Sequence, residues 1–174
     1  MKNFLKYILV SFIVFYSTNL FAENKIVVMD LKYVLNNSKA GKGAQEFLKK
    51  SYNDNIKKFK EIEKALKKEE DDLLAKKTVM SKDEYTKKTD TLRKKVIDYK
   101  SQRRSAMDKI TTQRATSRDT LIKSIDPILE AYIKENNISV VINKNNTLGG
   151  NPENDITKII VEKLNKVLPS LDLK

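Results

Sequence analysis

Apolar residues collect in two short runs, one near each end of the chain. Residues 25–30 read Lys-Ile-Val-Val-Met-Asp, and residues 138–143 read Ile-Ser-Val-Val-Ile-Asn. Short β-branched runs bounded by polar residues predict buried strands. After the first strand, Leu31, Val34 and Leu35 predict one or two turns of helix.

The segment after the second run predicts a turn, a short strand and a last helix. Asn and Gly pairs within residues 145–150 are typical of turns, and a third strand is predicted around Thr147 and Leu148. Apolar residues then recur at helical spacing, which predicts an amphipathic helix capped by Asp155 or Thr157.

Between the two runs, residues 44–136 place apolar residues at alternating steps of four and three, the rhythm of a coiled coil. The rhythm stops at residues 78–83. There Ser81 and Glu84 have the form of a capping box, in which the serine caps a new helix and the glutamate reaches back. The chain therefore reverses, and the prediction is an antiparallel helical hairpin. The predicted seam of its first helix is Leu48, Tyr52, Phe59, Ile62, Leu66 and Leu73.

The two predicted strands can pair only if the hairpin leaves and returns to the same place. We therefore predict an α+β, mostly helical fold: a small β-containing body with a long antiparallel coiled-coil hairpin as an arm. The body is assigned to residues 23–43 and 137–174, and the arm to residues 44–136 with its reversal near 78–83. With only 4 Gly and 3 Pro, an all-β sandwich or barrel lacks its turn residues.

The first residues have the layout of an export signal. Lys2 and Lys6 precede an apolar stretch at residues 7–16, which is shorter than the roughly 20 residues that a membrane-spanning helix needs. We expect a signal peptide at residues 1–22, cleaved after Ala22, with an uncleaved anchor as the alternative.

The composition excludes much catalytic chemistry. The chain has no Cys and no His, so it can supply no thiolate, imidazole base or disulfide. Residues 38–43 lack the upstream glycine and the Ser or Thr of a phosphate-binding loop, and Gly41 and Gly43 are expected to ease the chain into the arm. The acidic residues 69–72 stand among lysines and predict a solvated helix face. We expect no enzyme activity, no cofactor and no metal site.

Positive charge is the strongest remaining signal. The formal net charge is +12, and most of it lies on the hairpin. Such a charge favours acidic partners, and its attraction for them weakens with salt. Export argues against a specific nucleic-acid partner, and part of the charge can serve solubility alone. The candidate cations are Lys57, Lys60, Lys64, Lys67, Lys68, Lys87, Lys88, Arg93, Lys94, Arg103 and Arg104, and the candidate apolar residues outside the seam are Val79, Met80 and Ile97.

The local residues at both ends resemble one known family. Residues 26–30 followed by Val34-Leu35 and 38–44, and residues 138–145 followed by 155–157, are similar to the Skp family of periplasmic chaperones, also called the OmpH-like outer-membrane protein chaperones. That family's second exit strand usually carries an aromatic residue, whereas Leu148-Gly-Gly-Asn stands here.

The resemblance implies a homotrimer in which three bodies join as a β-barrel-like hub and three arms form a cage. In that hub one face of the strands is expected to carry Ile26, Val28, Val140 and Ile142. The candidate residues of the arm would then line the cavity and contact a client.

The function implied is an ATP-independent periplasmic holdase that binds unfolded outer-membrane proteins and prevents their aggregation on the way to the outer membrane. Two alternatives stay open: an exported coiled-coil structural or adaptor protein, and a protein that binds anionic lipid or lipopolysaccharide.

Overall fold

The two apolar runs form neighbouring parallel strands in the computed structural model, which describes residues 25–173. Strand β1 is Lys25–Met29 and strand β2 is Ile138–Asn143. Ile26 stands opposite Val140, and Val28 opposite Ile142. Both predicted strands are confirmed, and the proposed signal peptide lies outside the described residues.

The third strand predicted around Thr147 and Leu148 is wrong: within residues 25–173 the sheet has two strands. A 3₁₀ turn, Lys144–Asn146, follows β2 instead. The Asn143 side chain accepts a hydrogen bond from the Asn145 amide at 3.1 Å, and the Thr147 hydroxyl donates to the Lys144 carbonyl at 2.8 Å. These local bonds hold the backbone in a turn, which competes with strand pairing.

A short helix links β1 to the arm. Helix α1 is Leu31–Asn37, and the Asp30 carboxylate caps it by accepting from the Tyr33 amide at 2.8 Å. Ser38 separates α1 from helix α2, Lys39–Ala75, and caps α2 by accepting from the Gly41 amide at 3.1 Å. The second helix thus starts before residue 44.

Gly41 does not ease the chain into the arm through an unusual backbone conformation, as expected, but serves packing at this junction. Its φ is not positive, and a Cβ built on it would lie 1.8 Å from the Leu35 carbonyl oxygen. A Cβ on Gly43 would meet nothing within 4 Å. Gly41 therefore lets α1 and α2 approach more closely than any side chain would allow.

The predicted helical hairpin is confirmed. Helix α2 has 37 residues, and its partner, helix α3 (Lys82–Glu135), has 54 residues. At 1.5 Å per residue α2 is about 55 Å long. The Ser81 hydroxyl caps α3 by accepting from the Glu84 amide at 3.3 Å, whereas the Glu84 side chain pairs with Lys88 at 2.9 Å and does not reach back.

The seam between α2 and α3 is narrow and partly polar. Tyr52 is 48% exposed and lies outside it, contrary to the prediction. Ile62 and Leu66 are half-buried, and Ser117 is buried between apolar layers. The buried apolar residues of the seam are Leu48, Phe59, Leu73, Leu92, Ile110 and Leu121.

The main core lies in the body. Helix α3 ends at Glu135, just before the Asn136-Asn137 pair, and Asn137 lies in the left-handed region at φ 51°. The last helix, α4, is Thr157–Val167, and Asp155 accepts a hydrogen bond from the Thr157 amide at 2.9 Å. The largest fully buried apolar side chains of this core are Val27, Val34, Ile125, Ile160 and Leu164.

Within residues 25–173, no helix is both long enough and apolar enough to cross a membrane.

Candidate functional site

A groove of about 620 Å³ runs between α2 and α3 in the outer part of the hairpin, and we call it the tip groove. Leu74 and Ile97 are both more than half exposed there. Its other apolar lining residues are Leu66, Leu73, Tyr85, Leu92, Val96 and Tyr99.

The tip groove arises from two tandem apolar pairs. On a helix, adjacent residues point about 100° apart, so one member of each pair enters the seam and the other widens the apolar stripe. Leu73 is buried while Leu74 is exposed, and Val96 is half-buried while Ile97 is exposed. The groove is therefore an extension of the coiled-coil seam onto the surface.

Charged side chains border the tip groove on both sides. Lys67, Arg93 and Lys100 line it together with Glu63 and Glu70. A surface with apolar residues at its floor and both charges at its border can bind extended polypeptide through many weak contacts.

Lys67 is the most strongly paired cation of this border. Its ammonium lies 3.0 Å from the Asp71 carboxylate and 3.5 Å from that of Glu70. The hydrogen bond and charge of Asp71, with the charge of Glu70, raise the pKa of Lys67 above its ordinary value. Lys67 is thus fully charged near neutral pH, although part of its field is cancelled by its partners.

The eleven candidate cations are all exposed, but the structure does not bring them into one cluster. Lys60, Lys64, Lys67 and Lys68 lie along one side of α2. Arg103 and Arg104 lie farther along α3, with Glu63, Tyr99 and Met107. Arg93 and Lys67 alone among these cations line the tip groove.

Six of the candidate cations take part in no ion pair among the residues that the structure describes: Lys57, Lys60, Lys68, Lys87, Lys94 and Arg103. The other five pair with acids three or four residues away on their own helix. Such exposed pairs contribute little to stability, so the charge of the arm remains available to a partner.

Val79 and Met80 lie in the turn between α2 and α3, outside the tip groove. Val79 is 81% exposed and Met80 is half-buried. Lysines border the turn at residues 76, 77 and 82. The turn is a second, smaller apolar surface at the end of the arm.

The strand residues proposed for the hub share one face of the sheet. The sheet register places Ile26 beside Val140 and Val28 beside Ile142. Ile26 and Val140 are nearly half exposed, whereas Val27 and Met29, which point the other way, are buried. Val28 and Ile142 are half-buried, so this apolar sheet face is partly uncovered in the single chain.

A second groove was not foreseen from the sequence. It occupies about 850 Å³ where the hairpin joins the body, and we call it the root groove. Its floor contains Leu31, Leu35, Leu48 and Leu121, and Tyr52 lies at its edge. The heptad pattern assigned Leu48 and Tyr52 to the seam. It gave no indication that α1 also packs against the base of α2, and this packing forms the groove.

Neither groove contains a reactive constellation. Within residues 25–173, no cluster of Asp and Glu side chains has the geometry to hold a metal ion. Every buried side-chain N or O atom there has a hydrogen-bond partner. The arrangement is suited to binding an apolar and charged surface.

The molecule is a small α/β body that carries a long basic helical hairpin with apolar grooves. This is the architecture of a binding protein. A family model described as outer membrane protein (OmpH-like) matches residues 25–164. The chain belongs to this OmpH-like family, which confirms the resemblance drawn from the sequence.

A solved structure shares the fold. It is that of a proposed outer membrane chaperone (OmpH-like) from Caulobacter crescentus, with a TM-score of 0.79 and 18% sequence identity. The match covers 86% of this chain and 89% of that chain. A search of curated proteins returned no match to this sequence.

Proposed function

We propose that this protein is an ATP-independent holdase chaperone of the periplasm, which binds unfolded outer-membrane proteins and keeps them from aggregating. The observation that carries the proposal is the tip groove, an apolar surface on a long basic hairpin. Membership of the OmpH-like family and the fold shared with a proposed outer membrane chaperone support it.

Binding of unfolded clients requires contacts that are weak and numerous. An unfolded chain offers short apolar segments in any order, so a surface that binds many of them must tolerate differences in side-chain shape. The exposed leucine and isoleucine of the tip groove, together with its tyrosines, meet this need. Release then needs no nucleotide, because the client leaves when folding elsewhere lowers its free concentration.

The cations of the arm act on the rate of encounter. Several are free of ion pairs among the described residues and lie along both helices. A positive field of this kind attracts acidic segments and raises the association rate, and salt screens it.

We also propose that three chains assemble through the body. The apolar face of β1 and β2 is partly uncovered, and no further strand lies beside β2 within residues 25–173. An open strand edge next to an apolar face is stabilised when another copy covers it. Three hairpins would then surround one cavity.

The test is an aggregation assay with an outer-membrane β-barrel protein diluted from urea. Equimolar trimer should suppress the turbidity. The double variant Leu74→Ser/Ile97→Ser should lose most of the suppression, because it removes the two exposed apolar residues of the tip groove. The matched control is Ile56→Ser, an exposed apolar position outside that groove. Equal turbidity with and without the wild-type protein would contradict the proposal.

A further inference from the structure

The root groove carries positive charge that the chain itself does not balance. Lys32, Lys49, Arg114 and Arg118 line it, and no acidic residue does. None of these four cations takes part in an ion pair in the part of the chain that the structure describes. An apolar floor inside a ring of free cations fits an occupant with an apolar end and an acidic group.

The loop between β2 and α4 presents such a pair of groups. The Leu148 side chain is fully exposed. Two glycines follow it, and a Cβ on either would meet nothing within 4 Å. Glu153, exposed on the same loop, has no ion pair among the described residues. The loop therefore offers a leucine in solvent and a carboxylate that accepts a hydrogen bond of 3.4 Å from the Asn151 side chain but pairs with no cation among the described residues.

The base of this loop is held in place. Lys144 lies 2.6 Å from the Asp155 carboxylate, and the Ile156 amide donates to the Val28 carbonyl at 3.0 Å. The loop starts immediately after Asn143, which itself lines the root groove. In the single chain Leu148 nevertheless stays in solvent, so the chain does not fill its own groove.

We propose that the root groove receives the loop of a second copy of this chain, with its Leu148 on the leucine floor and its Glu153 near the cations. The proposal rests on the trimer proposed above and names the contact that closes it. Each chain gives one loop and receives one, which is a head-to-tail contact that can close into a ring. The paired glycines let the backbone of the loop approach the groove closely.

Cysteine cross-linking tests the contact directly, since the chain has no Cys of its own. Leu148→Cys and Gln45→Cys place one thiol on the loop and one at the groove, both at exposed positions. The protein purified after export is treated with a short bismaleimide. A mixture of the two single variants should give a covalent dimer, and the double variant should give a covalent trimer. The control pair replaces Gln45→Cys by Ser101→Cys on the arm and should give neither.

Light scattering of the wild-type protein tests the proposed trimer independently of the proposed loop contact. A wild-type trimer without the cross-link, or a cross-link confined to one chain, would overturn the loop contact and leave the trimer standing. A monomeric wild type would overturn both. As a second measurement, Leu148→Asp should raise the dissociation constant of the trimer by about tenfold or more, because it removes one buried leucine at each contact. An unchanged dissociation constant would overturn the contact.

Discussion

The backbone amide of Asp30 donates a hydrogen bond of 2.9 Å to the hydroxyl of Thr157, which lies 127 residues further along the chain. Asp30 follows the first strand and caps α1, and Thr157 begins α4. Between these two residues the chain leaves the body, forms the hairpin and returns to the body. This one bond therefore ties the two ends of the body together around the arm.

Replacing Thr157 by valine should destabilise the body. Thr157 is buried, so the variant, at nearly the same volume, leaves the Asp30 amide without its partner and removes the hydrogen bond that the Thr157 hydroxyl donates to the Asp155 carboxylate. Loss of a buried partner costs about 1–3 kcal/mol. Urea unfolding, monitored by circular dichroism, measures this loss of stability. The control is Thr91→Val at an exposed site of α3, which should change stability by less than about 0.5 kcal/mol.

Alanine at the two glycines of α2 should have opposite effects. Gly41→Ala places a methyl group on the Leu35 carbonyl oxygen, and such overpacking costs about 1–3 kcal/mol. Gly43→Ala meets open space in the same helix and should stabilise the protein by about 0.5–1 kcal/mol, since alanine favours helix. Melting temperatures of the two variants check this. A shift of equal sign in both would contradict the packing role of Gly41.

Acid should weaken the body through Asp155. Burial alone raises the pKa of this carboxyl, but hydrogen bonds from Lys144 and Thr157 outweigh it and hold the pKa below its ordinary value of 3.8. The stabilisation is therefore complete above that value and is lost as the pH falls through the lower pKa of the folded state. Asp155→Asn should be less stable than the wild type at neutral pH, and the difference should close in acid.

Urea midpoints across the acid range measure this difference. As a control that removes no titratable group, Thr91→Val at an exposed site of α3 should keep a constant difference from the wild type. A difference for Asp155→Asn that does not change with pH would show that the loss is one of packing.

Phe59 should control the local stability of the arm. It is 3% exposed and meets Tyr99 edge to face, with ring centroids 6.0 Å apart. Since few other apolar side chains are buried in this part of the seam, Phe59→Ala should lower the free energy of opening by about 3 kcal/mol. Hydrogen exchange should quicken in α2 and α3 around residue 59, while the body amides stay protected. Ile97→Ala, at a 64% exposed position, should leave exchange nearly unchanged.

The sequence predicted the elements whose signals are local. The heptad spacing and the Ser81 cap were enough for the hairpin, because each depends on residues three or four apart. The β-branched runs were enough for the strands. The third strand around Leu148 failed because asparagine and threonine side chains bond their own backbone there, and this turn chemistry competes with pairing.

The contacts that shape the grooves could not be predicted in the same way. The close approach of Gly41 to Leu35 depends on how two helices cross, and the root groove needs α1, α2 and α3 together. The exposure of one member of each tandem pair, Leu73-Leu74 and Val96-Ile97, was easier to predict from the sequence. Two adjacent apolar residues on a helix cannot both face one seam.

Client tryptophan fluorescence combined with light scattering tests the central claim most directly, because this chain has no Trp and the signal comes from the client alone. An unfolded outer-membrane β-barrel protein is diluted from urea into the purified protein. The account predicts a soluble complex with the mass of three chains and one client, in which the client keeps the red-shifted emission of unfolded protein. A client that aggregates, or that folds while still bound, would contradict it.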